Sequence, residues 1–402
     1  MLAIALVDRT GSGLWASVSV LYFTYVSGLS VAEVGTLAAV SGAIGIAGAP
    51  LGGRIADRLP ITRVLIALQL VRALASFALL TTHDYALLLA YSAVGSLGDR
   101  AANVLTKLYA TRVAGPDRVR YQAVNRTVAN AGWALGGLAA AAALALGTTT
   151  AYRWLLAGDA LSFGAAALLT LRCGEPPSPS RIAATSKDAA PTTRPANPWR
   201  DRTYLAYVAT ETVLSLDDAV FKIGLSLWIA HTNHAPHGLV ALLLVLNSVM
   251  VVAFQVPLAR FGATTAAART LLIPLAGAFA LGGITMALSA GGGAFTTTLF
   301  LTASAIAFTL AEMLRATVSW ELSVALAPGT SQGAYLGVHG LAQSVQRSLG
   351  PLAVTAAIAT GPIGWTAFGA TIAATCVIQH RLVRERLQRP PLSVLPVTVS
   401  EY

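Results

Sequence analysis

The sequence predicts an all-α integral membrane protein in which twelve transmembrane helices form two pseudo-symmetric six-helix bundles. Three observations carry that expectation: a shortage of charge, a succession of long apolar runs, and basic residues at alternate turns. Of the 402 residues, 55% are hydrophobic and 11% charged, with mean hydropathy +0.67. A soluble domain carries about 25% charged residues, so this chain has too little polar surface to keep a globule of its size in water. Disorder needs low hydrophobicity and does not fit most of the chain.

A membrane-crossing helix needs about 20 mostly apolar residues. The runs that meet this are 4–27, 32–56, 62–81, 84–111, 121–147, 151–172, 204–230, 237–259, 270–290, 294–325, 333–360 and 362–384. All are helical, because backbone facing lipid must satisfy its hydrogen bonds internally. Basic residues cluster in the 2–3 turn (Arg54, Arg58, Arg63), the 4–5 turn (Arg112, Arg118, Arg120), the 6–7 connection, the 8–9 turn (Arg260, Arg269) and the tail. The other turns hold almost none, so the positive-inside rule puts both termini in the cytoplasm of a multi-pass plasma-membrane protein. The net charge of +10 is thus a membrane-orientation signal, spread over helix ends and not gathered on a face for nucleic acid. Cys173 and Cys376 imply no disulfide framework. No cleavage site follows the first apolar segment, so no signal peptide is expected.

Residues 174–201 form the one long polar stretch, rich in Pro, Ser, Thr and Arg, and read as a cytoplasmic linker. It separates an N-terminal bundle, 1–173, from a C-terminal bundle, 202–388, with 389–402 as a cytoplasmic tail. The halves echo each other: Pro50-Leu51 matches Pro257-Leu258, Tyr121 matches Tyr335, and Asp8 has a counterpart in Asp218. A parallel repeat of this kind is a transporter architecture, with substrate held between the halves near the midplane.

The 2–3 turn reads GGRIADRLPITR. Asp57 ends helix 2, where the helix dipole is negative and a carboxylate needs a cation or another helix's N-terminus nearby. With twelve helices, a central basic connection and this turn, the chain resembles the major facilitator superfamily. That family's turn is Gly-x-x-x-Asp-Arg-x-Gly-Arg-Arg, which Gly53, Asp57, Arg58 and, further on, Arg63 fit. Pro60 stands in place of its second Gly, and the first Arg of its closing pair is absent. The resemblance implies that Asp57 meets the start of helix 11 and latches the halves in an outward-facing state.

Ionisable residues inside the bilayer cost about 2.5–3.5 kcal/mol each, so they need partners, water or a task. In helix 4, Asp99, Asn103 and Lys107 share a face at i, i+4 spacing. Arg100 resembles the helix-4 Arg that the family associates with proton coupling, without the Gln-Gly that follows it there. Helix 7 carries Glu211, Asp217, Asp218 and Lys222. Lys222 can pair with Asp218 but cannot neutralise both aspartates, so one of them is a candidate to gain and lose a proton. The alternative is static pairing with Arg100 or Arg347. Glu312 and Arg315 at i, i+3 suggest a local pair in helix 10, with cavity-facing Glu312 the other reading. Asp8 and Arg9 lie toward the cytoplasmic end of helix 1, where Arg9 can snorkel. Arg126 with Asn130 in helix 5, and Gln343 with Arg347 in helix 11, form opposing polar stations. Arg72 and Asp159 have no clear role.

Asn130-Ala-Gly132-x-x-x-Gly136-Gly137 allows close helix packing and resembles a degraded form of the family's antiporter motif. His231, His234 and His237 in the 7–8 loop could bind zinc, but a solvated loop is the plainer reading, and no metal or cofactor is expected. Protease, hydrolase and nucleotide-binding motifs are missing, which argues against an enzyme. The sequence therefore points to a proton-coupled exporter of a small apolar organic compound, a drug or secondary metabolite, acting as a monomer in the lipid bilayer. Its partners are that substrate and protons. Alternatives are a proton-coupled uptake permease for a nutrient and a non-transporting sensor.

Overall fold

A computed structural model describes residues 1–145, 148–178, 196–231 and 238–388. Twelve helical spans follow in order. α1 is Leu2–Leu21 continued by a π-helical turn, Tyr22–Val26; α2 is Val31–Ile46 and, after a break at Ala47, Gly48–Arg58. α3 (Ile61–Leu79), α4 (Tyr85–Ala114), α5 (Arg118–Leu144) and α6 (Thr149–Leu171) complete the first bundle. α7 is segmented: Arg202–Leu214, a 3-10 turn Ser215–Asp217, a π turn Val220–Gly224, then Leu225–His231. α8 (Leu239–Ala259), α9 (Thr265–Thr270 and Leu272–Leu288), α10 (Ala294–Ala325), α11 (Gln332–Ala359) and α12 (Pro362–Gln388) form the second. Single helices were expected for spans 2, 7 and 9, and all three are interrupted. In α7 the Ser215 and Asp217 side chains at the break both accept from Arg315 of α10.

Polar side chains start several helices. Ser30 and Glu33 make a reciprocal capping box at α2, and Asp84, Thr148 and Asp201 cap α4, α6 and α7. Thr264, at the position matching Asp57 in the second half, caps α9. Glu175, just past α6, accepts from the Ile61 and Thr62 amides, each at 2.9 Å, and so caps α3 from the start of the linker.

Packing repeats under a shift of six helices. α1 packs on α5 and α6, α3 on α4 and α6, and α2 on α4; correspondingly α7 packs on α11 and α12, α9 on α10 and α12, and α8 on α10. The halves meet along α2–α11 and α4–α11 on one side and along α5–α8 and α5–α10 on the other. Glycine permits the closest approaches. A Cβ on Gly53 would lie 2.1 Å from the Gly333 carbonyl oxygen, and one on Gly136 would lie 2.2 Å from that of Thr10. Apolar side chains fill the seam: Ala56 and Leu105 with Val324 and Leu336, and Val119 and Ala123 with Ala259.

Candidate functional site

Two cavities run through the centre of the molecule. The larger, about 540 Å³, is lined on its apolar side by Trp15, Phe23, Leu37, Leu79, Trp133 and Phe163. The smaller, about 370 Å³, is lined by polar and charged groups including Arg100, Lys107, Glu211, Arg315 and His339. Arg9 and Arg347 line both, so the cavities meet at these two side chains.

In the first bundle the charges converge on Arg72, which is 4% exposed. It donates to Asp8 at 2.8 Å, Gln69 at 2.9 Å and Asp99 at 3.2 Å. Its guanidinium lies 3.9 Å from the centre of the Phe163 ring, and Ser76 donates to Asp159 beside it. Asn103 donates to Asp99 at 3.2 Å and accepts from Arg9. Arg9 thus turns inward, because Asn103 and the cavity solvate it, and does not snorkel to the membrane surface as expected. Arg72 and Asp159, without a role on sequence grounds, are the hub of this network. Their spacing along α3 and α6 carries no local pattern that would have marked them.

The second bundle corrects two expected pairings. Glu312 and Arg315 do not pair locally. Arg315 holds Asp217 at 3.0 Å within its own bundle. Glu312 accepts from Arg126 across the interface and from Asn247 at 2.9 Å. The spacing along α10 sends the two side chains to different neighbours, and each finds a better-placed opposite charge. Asp217 is 2% exposed, and its partner is Arg315, neither Arg100 nor Arg347. Asp218 pairs with Lys222 at i, i+4, at 2.5 Å. Glu211 accepts from Gln379 at 2.7 Å, with His339 at 3.7 Å. Lys107, half-buried, donates to Ser323 at 2.7 Å and lies over the Trp320 ring.

Asp57 accepts from the Gly333 and Ala334 amides, at 2.9 and 2.8 Å, at the start of α11. The positive end of the α11 dipole therefore faces a carboxylate that the α2 dipole disfavours. Arg118 makes a two-pronged bond to Glu321, at 2.8 and 2.6 Å, across the opposite seam, α5–α10. Arg58 and Arg63 are exposed, Gly53 forms the α2–α11 contact, and Gln343 lines the smaller cavity. Asn130 is exposed and lines neither cavity, so it is no station opposite α11; Arg126 reaches Glu312 instead. His234, His237 and the His231 side chain lie outside the described residues.

A family model described as Major Facilitator Superfamily matches residues 1–351. The chain belongs to that superfamily. This major facilitator transporter is similar to the solved structure of a bacterial homologue of the iron transporter ferroportin in its outward-facing state. The identity is 14% and the TM-score 0.72, over 96% of this chain and 98% of that one. It is also similar to the human organic anion transporter MFSD10, at 16% identity and TM-score 0.60, over 95% and 97% of the chains. A third likeness is to the proton:xylose symporter XylE, at 14% and TM-score 0.68, over 95% of each chain. At these identities the likenesses concern the fold. No curated protein sequence matches the chain.

Proposed function

We propose that this transporter is a proton-coupled exporter of a small, largely apolar organic compound and works by alternating access. The observation that carries the reading is the one-sided tie between the bundles. Asp57 with the α11 amides and Arg118 with Glu321 bridge the halves at the α2–α3, α4–α5 and α10–α11 ends, while the smaller cavity is lined from both halves and the larger one mostly from the first, with Lys222 and Arg347 from the second. The basic turns argue that this tied face is cytoplasmic, which makes the described state outward-facing. Rocking of the two halves would break these ties and expose the same cavity to the other side.

Asp217 is the preferred proton site, with Asp218, Asp99, Glu211 and Glu312 as further candidates, and Arg100 is a coupling candidate only as a cation beside them. It sits where α7 loses regular helical form, a frequent feature of functional sites. Its partner Arg315 lines the smaller cavity. Protonating Asp217 would free Arg315 to interact with cavity contents, and only such a differential interaction can shift the equilibrium between states. Export is favoured because an apolar compound enters cells across the bilayer unaided, so the useful work is outward. The aromatic and aliphatic wall of the larger cavity suits such a compound.

The test is flux of candidate drugs in proteoliposomes under an imposed pH gradient. Asp217→Asn is expected to retain exchange of substrate down its own gradient and to lose acceleration by the proton gradient. Full coupling in both Asp217→Asn and Asp218→Asn would remove the pair from the scheme. Whole-cell accumulation that rises with expression would replace export by uptake.

A further inference from the structure

The charges around the cavities do not balance. Arg126 and Arg315 each hold a carboxylate, Glu312 and Asp217, and Lys222 holds Asp218. Lys107 and Glu211, which also line the smaller cavity, offset each other; in the remaining cluster Arg9, Arg72, Arg100 and Arg347 face Asp8, Asp99 and Asp159, and one positive charge is left over. Asp8 and Asp99 already bond to Arg72. Among the described residues, Arg100 has a single hydrogen bond, to Ser344 Oγ at 3.1 Å, and Arg347 has no hydrogen bond and no carboxylate within ion-pair distance. Ser344 precedes Arg347 by one helical turn on α11, and both arginines line the smaller cavity, one from each bundle.

Arginine keeps its proton in proteins. Arg347 is exposed and Arg100 half-buried, so both guanidiniums are open to whatever enters the cavity. A guanidinium suits a carboxylate, which it can grip through two parallel hydrogen bonds. Arg347 lines the larger cavity as well, whose volume of about 540 Å³ lies within the usual range of small-molecule sites. Its wall offers Trp15, Phe23, Trp133 and Phe163.

We propose that Arg100 and Arg347 together hold the anionic head of the transported compound, an amphipathic organic acid whose apolar body fills the larger cavity. The assignment deepens the transport reading and rests on it. Because the two arginines belong to different bundles, the anion bridges the halves and offsets their mutual repulsion. Loading of the site is thereby coupled to the relative position of the bundles.

The experiment compares pyrenebutyrate, its methyl ester and pyrenebutylamine on the purified full-length protein, reading energy transfer from tryptophan, since Trp15 and Trp133 line the cavity. The carboxylate is expected to bind at least about tenfold tighter than the ester and the amine, as for a desolvated charge pair. Arg100→Gln and Arg347→Gln should each erase that preference while leaving ester affinity in place, and Arg347→Lys should restore part of it. Retained ester affinity shows that the variants keep their fold. Amine binding as tight as carboxylate, a preference that survives in both Gln variants, or no saturable binding of any probe would overturn the assignment. Flux of the same probes in proteoliposomes separates the two readings. Selective carboxylate binding without flux removes transport of this class and keeps the anion site. Flux without charge preference keeps transport and removes the site.

Discussion

At Asp201, ahead of the second bundle, one carboxylate collects a hydrogen bond from Arg386 at 2.7 Å, one from the Tyr204 amide and one from the Tyr335 hydroxyl. Partial burial works against its charge, but these donors outweigh it and hold the carboxyl below its ordinary range. A depressed carboxylate stabilises the fold fully above the unfolded-state value, about pH 4 for Asp, and loses that contribution as pH falls through the depressed value. The stability gap between wild type and Asp201→Asn should therefore be constant from neutrality to mild acid and shrink in stronger acid. Thermal unfolding across pH measures it, and a gap that grows on acidification would contradict the account. Residues like this divide into legible and illegible. The Asp218–Lys222 pair was legible because both partners lie on one helix at contact spacing. Arg315–Asp217 and Arg126–Glu312 were not, since each partner is far away in sequence and only the tertiary fold decides between candidates of equal charge.

Between elements, two glycine contacts look alike and have different consequences. Gly53 lies against Gly333 and Gly337 of the other bundle, whereas Gly136 lies against Thr10 and Gly13 of its own. A larger residue at a closed contact costs about 1–3 kcal/mol in overpacking. At Gly136 that cost falls on the fold, so Gly136→Val should lower the unfolding temperature. At Gly53 the proposed rocking of the halves would part α2 from α11, so Gly53→Val should wedge that seam open with little loss of stability. Spin labels placed on α2 and α11 should report longer distances in Gly53→Val alone, and equal unfolding losses in both variants would sink the distinction. The small-residue spacing of both contacts is visible in the sequence. Which helix each one meets is not, because spacing specifies closeness without naming the neighbour. The break in α7 was likewise hidden: its composition is that of any span, and the interruption follows from polar side chains whose partners lie on other helices.

On the scale of the whole molecule, the twelve spans and the two halves could be read from charge and hydropathy because the bilayer imposes one rule on every residue that crosses it. The conformation could not, since one sequence serves both sides of the transport cycle. What decides it is the sum of ties on one face. Charge-assisted hydrogen bonds contribute about 1.5–3 kcal/mol each, so neutralising one should shift the state population by roughly tenfold or more. Asp57 and Glu321 share no partner in the bonds described, the first meeting α11 amides and the second Arg118 and Thr265. Their effects should therefore add. Cysteine accessibility on both faces of Asp57→Asn, Glu321→Gln and the double variant provides the measurement. A double variant no different from either single one would mean that the ties act as one unit.

Arg112 gives the Asp57 tie a second property. It sits 3.9 Å from the same carboxylate, and it belongs to the same bundle as Asp57. When α11 withdraws, the carboxylate is left beside a cation that travels with it, so the negative charge passes from one host to another without being stranded. Under the proposed rocking of the halves, the tie would set how long the molecule waits on one side, and Arg112 how quickly it leaves. Timing and position are set by different residues that share a single oxygen.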